Sequence, residues 1–420
     1  MSVLKKIIKG YNSISLIVRI ALGIVIGVIL ALVVPQATGI GLLGDLFVGA
    51  LKAIAPVLVA VLVISSLCQS AAKLDRRFGM VIFLYMFTTF LAAMLAVAVS
   101  FIFPQNIELV ADAAEQAAPS GIMDVLQSQL MNMITNPVRA VTESNYIGIL
   151  FWAVLIGLAL KKIASDSTRK VMMDLSDAIS LCVRWVINMA PFGIMGLVFT
   201  TVSGKGLEVF SSYGRLLLVL VSCMLTMALV ISPLIIGILL RTNPYPLIFR
   251  CIRESGLTAF FTRSSAANIP INMDLCEKLG LDRDIYSISI PLGATINMDG
   301  AAITITVMTL AAANTVGVNV SFPLALMLSA VAALGACGSS GVAGGSLMLI
   351  PMACSIFGIS ADVALQVVGV GFIISVIQDS VETALNSSSD VAFAATAEYY
   401  EWRKQGKELP EFMQRRKKNK

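Results

Sequence analysis

The chain has 420 residues, of which 57% are hydrophobic and 13% charged, with a formal net charge of +5 and a mean hydropathy of +0.88. A soluble domain carries about a quarter of its residues charged, so the composition excludes a separate soluble domain of any size and points to an all-α polytopic membrane protein. The absence of histidine excludes imidazole proton relays, histidine-held metals and Ser-His or Cys-His catalytic pairs.

Met1–Gly10 carries Lys5, Lys6 and Lys9 ahead of an apolar block at 14–34. That block is long enough to span a bilayer, so it reads as a retained first helix rather than a cleaved signal. Further spans are expected at 42–67, 79–103, about 146–160 with an interfacial part before it, 179–201, 215–240, 286–312 and 362–397. Two apolar segments do not read as simple spans. The one at 255–277 is interrupted by Thr262-Arg263-Ser264-Ser265 and by Pro270; the one at 324–358 by Gly338-Ser339-Ser340-Gly341-Val342-Ala343-Gly344-Gly345. Such runs break helices, and broken backbone survives at membrane depth only inside protein or beside a cavity. Both are therefore expected as re-entrant hairpins with small-residue tips. The seven cysteines, Cys68, Cys182, Cys223, Cys251, Cys276, Cys337 and Cys354, show no Cys-x-x-Cys spacing and read as small buried hydrophobes.

Charge orients this plan. With a cytoplasmic N-terminus, eight spans and two hairpins place inside the clusters Lys73/Arg76/Arg77, Lys161/Lys162/Arg169/Lys170, Arg241/Arg250/Arg253 and Lys278/Arg283, together with the tail Arg415-Arg416-Lys417-Lys418. The outside loop near 104–145 holds Glu108, Asp112, Glu115, Asp124 and Glu143. This obeys the positive-inside rule, and the tail reads as a cytoplasmic anchor rather than a nucleic-acid patch. The second half repeats one motif, a serine-tipped hairpin followed by a span with buried polar residues. The hairpins enter from opposite sides, as in secondary transporters built from inverted repeats.

Chemistry concentrates in those two spans. In the last, Asp379, Glu382, Asn386 and Asp390 are spaced three, four and four apart, which places them within an arc of roughly 80° on a helix. An acidic group at the centre of a span costs about 2.5–3.5 kcal/mol, so three on one face need a compensating partner, and cations are the obvious one. In the preceding span, Gly293-Ala294-Thr295-Ile296-Asn297-Met298-Asp299-Gly300 disfavours continuous helix. A break there frees carbonyls beside an acidic side chain, oxygen ligands of the kind hard cations take. At the hairpin tips, half-helix N-termini present free N–H groups to an anionic group such as a substrate carboxylate.

Thr262-Arg263-Ser264-Ser265, Asn297-Met298-Asp299-Gly300, and Asp379 with Asn386 and Asp390 resemble the dicarboxylate/amino acid:cation symporter family of glutamate transporters and neutral amino acid exchangers, and the resemblance covers essentially the whole chain. It implies a homotrimeric elevator: scaffold helices 1–2 at 1–78, transport-domain helix 3 at 79–110, scaffold helices 4–5 with the external loop at 111–214, a transport domain at 215–400 and a basic cytoplasmic tail at 401–420. It implies one sodium site at Gly293, Asn297, Asn386 and Asp390. A second, mostly of backbone carbonyls, falls at Thr295, Ala336, Cys337 and Ser339. A third falls at Tyr85, Thr88 and Thr89 with Asn297 and Asp299. Arg263, Ser264, Ser265, Ala301, Val342, Asp379, Glu382, Thr383 and Asn386 would line the substrate site: Ser265 and Asn386 hold the α-carboxylate, Asp379 holds the α-ammonium, and 336–346 forms the extracellular gate.

The departures bear on substrate. Members that carry acidic substrates have an arginine at the position of Glu382, a threonine at Ala301 and commonly a proline at Ala343. A side-chain carboxylate beside Glu382 is repelled, so the expectation is sodium-coupled import of small neutral amino acids, serine and threonine foremost, across a bacterial inner membrane, with both termini cytoplasmic and no organic cofactor. Glu382 is expected to accept the substrate hydroxyl or to pair with Arg263. The alternatives are a sodium-dependent alanine/serine exchanger and a cation exchanger or channel without organic substrate; the last would not need two small-residue tips. An intramembrane protease, suggested by Gly338-Ser339-Ser340-Gly341, lacks a histidine base, and no Gly-x-Gly-Asp pattern supports an aspartyl enzyme.

Overall fold

In the computed structural model all regular structure among the described residues is helical, as expected where backbone polar groups are satisfied without water. The structure describes residues 14, 16–69, 76–109, 131, 133–143, 145–337, 339 and 344–414. The expectations for the N-terminal lysines, Lys73, the acidic residues 112–124 and the tail 415–418 lie outside these residues.

The helices in chain order are α1 (Leu16–Val33), α2 (Gly41–Gln69), α3 (Arg76–Ile102), a short α4 (Pro137–Thr142), α5 (Tyr146–Ile163), α6 (Asp166–Asn188), α7 (Ala190–Lys205) and α8 (Phe210–Leu240). There follow α9 (Tyr245–Cys251), α10 (Leu257–Thr262), α11 (Ser265–Lys278), α12 (Arg283–Ile296), α13 (Asp299–Thr315), α14 (Phe322–Ala336), α15 (Ile350–Ser355) and α16 (Ala361–Lys404). Among the described residues four unbent stretches are long and apolar enough to cross a membrane: Arg77–Ile102, Phe210–Leu240, Arg283–Thr315 and Ala361–Lys404.

The span expected at 179–201 is not one straight helix: the chain bends by 50° between α6 and α7. Pro191, in the first turn of α7, supplies no N–H and cannot continue α6. The first serine-tipped segment also starts earlier than 255. Its first arm runs from Tyr245 through a π-helical turn, Ile252–Gly256, to Thr262. Its foot carries Arg250, Arg253 and Glu254, and Arg250 Nε bonds Glu254 Oε1 at 3.1 Å one turn on. At Arg263 and Ser264 the chain reverses and α11 packs back on α10. The second segment has α14 as its first arm; its second begins at a 3₁₀ turn, Leu347–Leu349, and continues in α15.

Two packing groups result. The helices α1, α2, α5, α6 and α7 pack chiefly on one another. Small residues bring α1 and α7 close: a Cβ on Gly23 would lie 2.3 Å from Pro191 O, and one on Gly27 2.6 Å from Met195 O, the close approach that membrane helices favour. In the second group α3 packs on α12, α13, α14 and α16, and α16 touches nearly every element from α8 onward. Phe47 of α2 and Phe372 of α16 meet edge to face at 5.1 Å where the groups touch. At the foot of the second group Arg77 reaches Asp282 at 2.9 Å and Glu398 at 3.2 Å, joining α3, the N-cap of α12 and α16.

Candidate functional site

The sequence expects a helix break at Asn297-Met298, and the structure has it: α12 ends at Ile296, α13 begins at Asp299, and both linking residues are non-helical. The break presents Asn297 sideways to α16. Its Nδ2 donates to Asp390 Oδ1 at 2.9 Å, to Ser389 Oγ at 2.7 Å and to Asn386 O at 3.2 Å. Tyr85, from α3, donates to Asp390 O at 2.9 Å. Gly293 completes this corner: a Cβ there would stand 2.7 Å from Asp390 Oδ1 and 3.0 Å from the Tyr85 hydroxyl. Beside it, Thr89 Oγ1 donates to Asp299 Oδ1 at 3.1 Å. Thr88 bonds back to Leu84 O at 2.9 Å. The residues of the first and third expected sodium sites are thus brought together. Their oxygens fit a cation: Asn297 Oδ1, Asp299 Oδ2 and Asp390 Oδ2 are buried and meet no hydrogen-bond donor among the described residues. Buried acceptors of this kind are normally satisfied.

The second expected sodium site is assembled more loosely. Cys337 Sγ lies 3.6 Å from Ile296 O, next to Thr295. Thr295 spends its hydroxyl on Leu292 O at 2.7 Å, and Ala336 O accepts from Ser339 N at 2.9 Å.

At the first hairpin tip Arg263 ends α10 in the left-handed region, at φ 52, a conformation uncommon for a residue with a side chain. It points its guanidinium at α16. Nε and Nη2 reach Asp379 Oδ2 at 2.7 and 2.6 Å, and the pair is buried, with Arg263 4% and Asp379 2% exposed. The expected Arg263–Glu382 pairing is therefore corrected: Arg263 pairs with Asp379, the residue expected to hold the α-ammonium. Ser264 is the N-cap of α11, accepting from Ala267 N at 3.2 Å; Ser265 and Ala301 are buried. Thr383 uses its hydroxyl on Asp379 O at 2.8 Å. Val342 lies outside the described residues.

Glu382 has other partners. Its Oε2 accepts from Thr304 Oγ1 at 2.7 Å, from Ser346 Oγ at 2.9 Å and from Gln378 Nε2 at 2.5 Å. Asn386 Oδ1 accepts from Gly300 N at 2.7 Å. That contact needs glycine, since a Cβ on Gly300 would lie 2.9 Å from Glu382 Cα.

Sequence reasoning missed Thr304, Ser346, Gln378 and Ser389, and a second buried cluster as well. Asn268 Nδ2 donates to Ser387 Oγ at 2.7 Å and to Ser255 Oγ at 3.0 Å, and Asn272 Nδ2 donates to Ser387 O at 3.1 Å. These bonds tie both arms of the first hairpin to α16. The available signals were two asparagines one helical turn apart and the run Ser387-Ser388-Ser389 inside an apolar span.

Long apolar helices that carry buried carboxylates and amides at depth define a multi-pass membrane protein. Residues 16–399 match the sodium:dicarboxylate symporter family, and the chain belongs to that family, one of symporters rather than enzymes. Among similar proteins, the serine/threonine transporter SstT of Bifidobacterium adolescentis is 63% identical over 421 residues, covering 99% of this chain and 98% of the relative. The protein of that name from Streptococcus agalactiae is 57% identical over 396 residues, covering 94% and 98%. That from Streptococcus thermophilus is 54% identical over 402 residues, covering 96% and 100%.

Proposed function

We propose that this chain is a sodium-coupled symporter that imports serine and threonine across the bacterial inner membrane. The observation that carries the sodium reading is the trio of buried acceptor oxygens on Asn297, Asp299 and Asp390 that no donor satisfies among the described residues. The substrate reading is supported by relatives named serine/threonine transporters that cover nearly the whole chain and by Glu382 at the centre of the site. Sodium binds first and neutralises Asp390 and Asp299. The amino acid then binds between the hairpin tips, with its α-carboxylate at Ser265 and Asn386 and its hydroxyl at Glu382. Asp379 exchanges Arg263 for the substrate α-ammonium or shares itself between them. The gate at 336–346 closes and the loaded group moves inward. Coupling is reciprocal, each ligand tightening the other by the same factor, and the membrane potential adds about 2.3 kcal/mol per charge per 100 mV.

The same reading takes the chain as eight spans with two re-entrant hairpins in inverted repeats, both termini cytoplasmic, assembled as a homotrimer. The packing groups support a scaffold of α1, α2, α5, α6 and α7 and a transport domain of α3 and α8–α16. The test is radiolabelled serine uptake into proteoliposomes with and without an inward sodium gradient, competed by threonine, alanine and aspartate. Sodium-driven accumulation blocked by threonine and not by aspartate is expected. Block by aspartate overturns the substrate assignment, and the absence of sodium-driven uptake of any amino acid overturns symport.

A further inference from the structure

Counting hydrogens separates the two oxygens of Glu382. Gln378 has two amide hydrogens and spends both: Nε2 donates to Glu382 Oε2 at 2.5 Å and to Thr304 Oγ1 at 2.7 Å. Thr304 accepts there, so its single hydroxyl hydrogen goes to the same Glu382 Oε2, at 2.7 Å. Ser346, just ahead of the 3₁₀ turn Leu347–Leu349, adds a third donor to that oxygen at 2.9 Å. An ionised carboxylate only accepts, and among the described residues every donor to Glu382 lies on Oε2 and none on Oε1. Turning the Gln378 amide over would set its oxygen against Oε2, so the network itself assigns the orientation. That orientation leaves Gln378 Oε1 buried without a donor among the described residues, a cost the contact with Glu382 must offset. The two donors stand on separate helices, Thr304 on α13 and Gln378 on α16. Those helices are joined beside the site by the Gly300–Asn386 bond, and a Cβ on Gly300 would lie 2.9 Å from Glu382 Cα. Thr304 and Gln378 are wholly enclosed, whereas Glu382 keeps 5% exposure. With no hydrogen left for a ligand, both act only through the carboxylate.

We infer that Thr304 and Gln378 are positioning residues that set hydroxyl selectivity: they clamp Oε2 of Glu382 and so turn Oε1, as an open acceptor, toward the side-chain hydroxyl of a bound amino acid. This rests on the serine/threonine reading above. The substrate hydroxyl joins the carboxylate without displacing any donor. A carboxylate free to rotate has to be ordered by the ligand it binds, whereas this one is ordered beforehand on two braced helices, which removes that cost from binding. The discrimination follows from the acceptor. Serine and threonine bring a donor to Oε1. Alanine covers the same oxygen and brings none, which leaves a desolvated acceptor unpaired, the asymmetry by which a polar site rejects a ligand lacking the matching group.

The test uses the full-length protein in proteoliposomes. Sodium-driven uptake of radiolabelled serine is competed by unlabelled serine, threonine and alanine, and the readout is the ratio of the alanine to the serine inhibition constant. T304V keeps the side-chain shape and removes the hydroxyl. Q378L removes the amide from the other helix, so a folding failure of one variant leaves the other. Each is expected to weaken serine and threonine about three- to tenfold, the cost of ordering one side chain, and to leave alanine within about twofold, so that the ratio falls. T304S keeps the donor and is expected to keep the wild-type ratio. A merely structural role would weaken all three amino acids together. Equal weakening of the three, an unchanged ratio in T304V and Q378L, or a T304S ratio as low as that of T304V overturns the inference. Absence of sodium-driven serine uptake by the wild-type protein, or a wild type that does not prefer serine to alanine, overturns instead the functional reading beneath it.

Discussion

The buried Arg263–Asp379 pair makes a quantitative demand on the fold. Both side chains are almost fully enclosed, and Arg263 places two nitrogens, at 2.7 and 2.6 Å, on a single carboxylate oxygen. Removing the cation by R263M, at similar volume, strands a desolvated carboxylate. A broken buried pair costs about 3–5 kcal/mol, whereas replacing both partners with apolar groups is close to neutral. R263M is therefore expected to lower the thermal midpoint of the detergent-solubilised protein by several degrees, and R263M/D379L to recover to within about 1 kcal/mol of wild type. R263G separates the charge from the backbone: it relieves the left-handed conformation, worth roughly 1–2 kcal/mol, and should be the milder single variant. Thermal unfolding of the four proteins side by side decides the matter. A wild-type midpoint for R263M, or a double variant no better than the single one, refutes the claim that the carboxylate depends on this guanidinium.

Gly300→Ala should be destabilising by about 1–3 kcal/mol through overpacking, because its Cβ meets the backbone of Glu382 rather than a movable side-chain end; an unchanged midpoint would show that α13 and α16 lie further apart. Asn272→Leu removes the donor to Ser387 O and Oγ and the acceptor for Asn268 Nδ2 and should cost about 0.5–1.5 kcal/mol for each hydrogen bond lost, with S387A less than additive on top of it because the two share a network. D390N should raise the sodium concentration for half-maximal serine uptake about tenfold or more, and a sodium titration that does not move would remove Asp390 from the cation site. E382Q should weaken serine and threonine more than alanine in competition assays; equal affinities would argue against a hydroxyl contact at this residue.

Much of this arrangement was legible in the residues because lipid leaves few alternatives. A charged group in an apolar helix must face protein, so the three-four-four spacing of Asp379, Glu382, Asn386 and Asp390 already implied one buried polar face, and all four are buried. The glycines around Asn297 and Asp299 implied the break that α12 and α13 show. Resemblance to the symporter family added which of these oxygens belong together, something spacing alone does not state. Less visible were features set by what stands opposite a residue. The bend at Met189 depends on Pro191 meeting the end of an amphipathic helix, and the early start of the first hairpin on an internal Arg250–Glu254 pair.

The sequence by itself determined that this is a helical membrane protein, that the helix carrying Asn297 and Asp299 breaks, and that Asp379, Glu382, Asn386 and Asp390 share one buried face, because burial costs and backbone satisfaction in lipid act residue by residue. Only the tertiary structure decided the pairings. Arg263 faces two acidic candidates within one turn of α16, and its left-handed backbone at the hairpin tip aims it at Asp379. Glu382 is then left to Gln378, one turn away on α16, and to Thr304 and Ser346, which come from two other elements. A partner's identity depends on the angle at which elements cross, and that angle is set by the packing of the whole group rather than by any local run of residues.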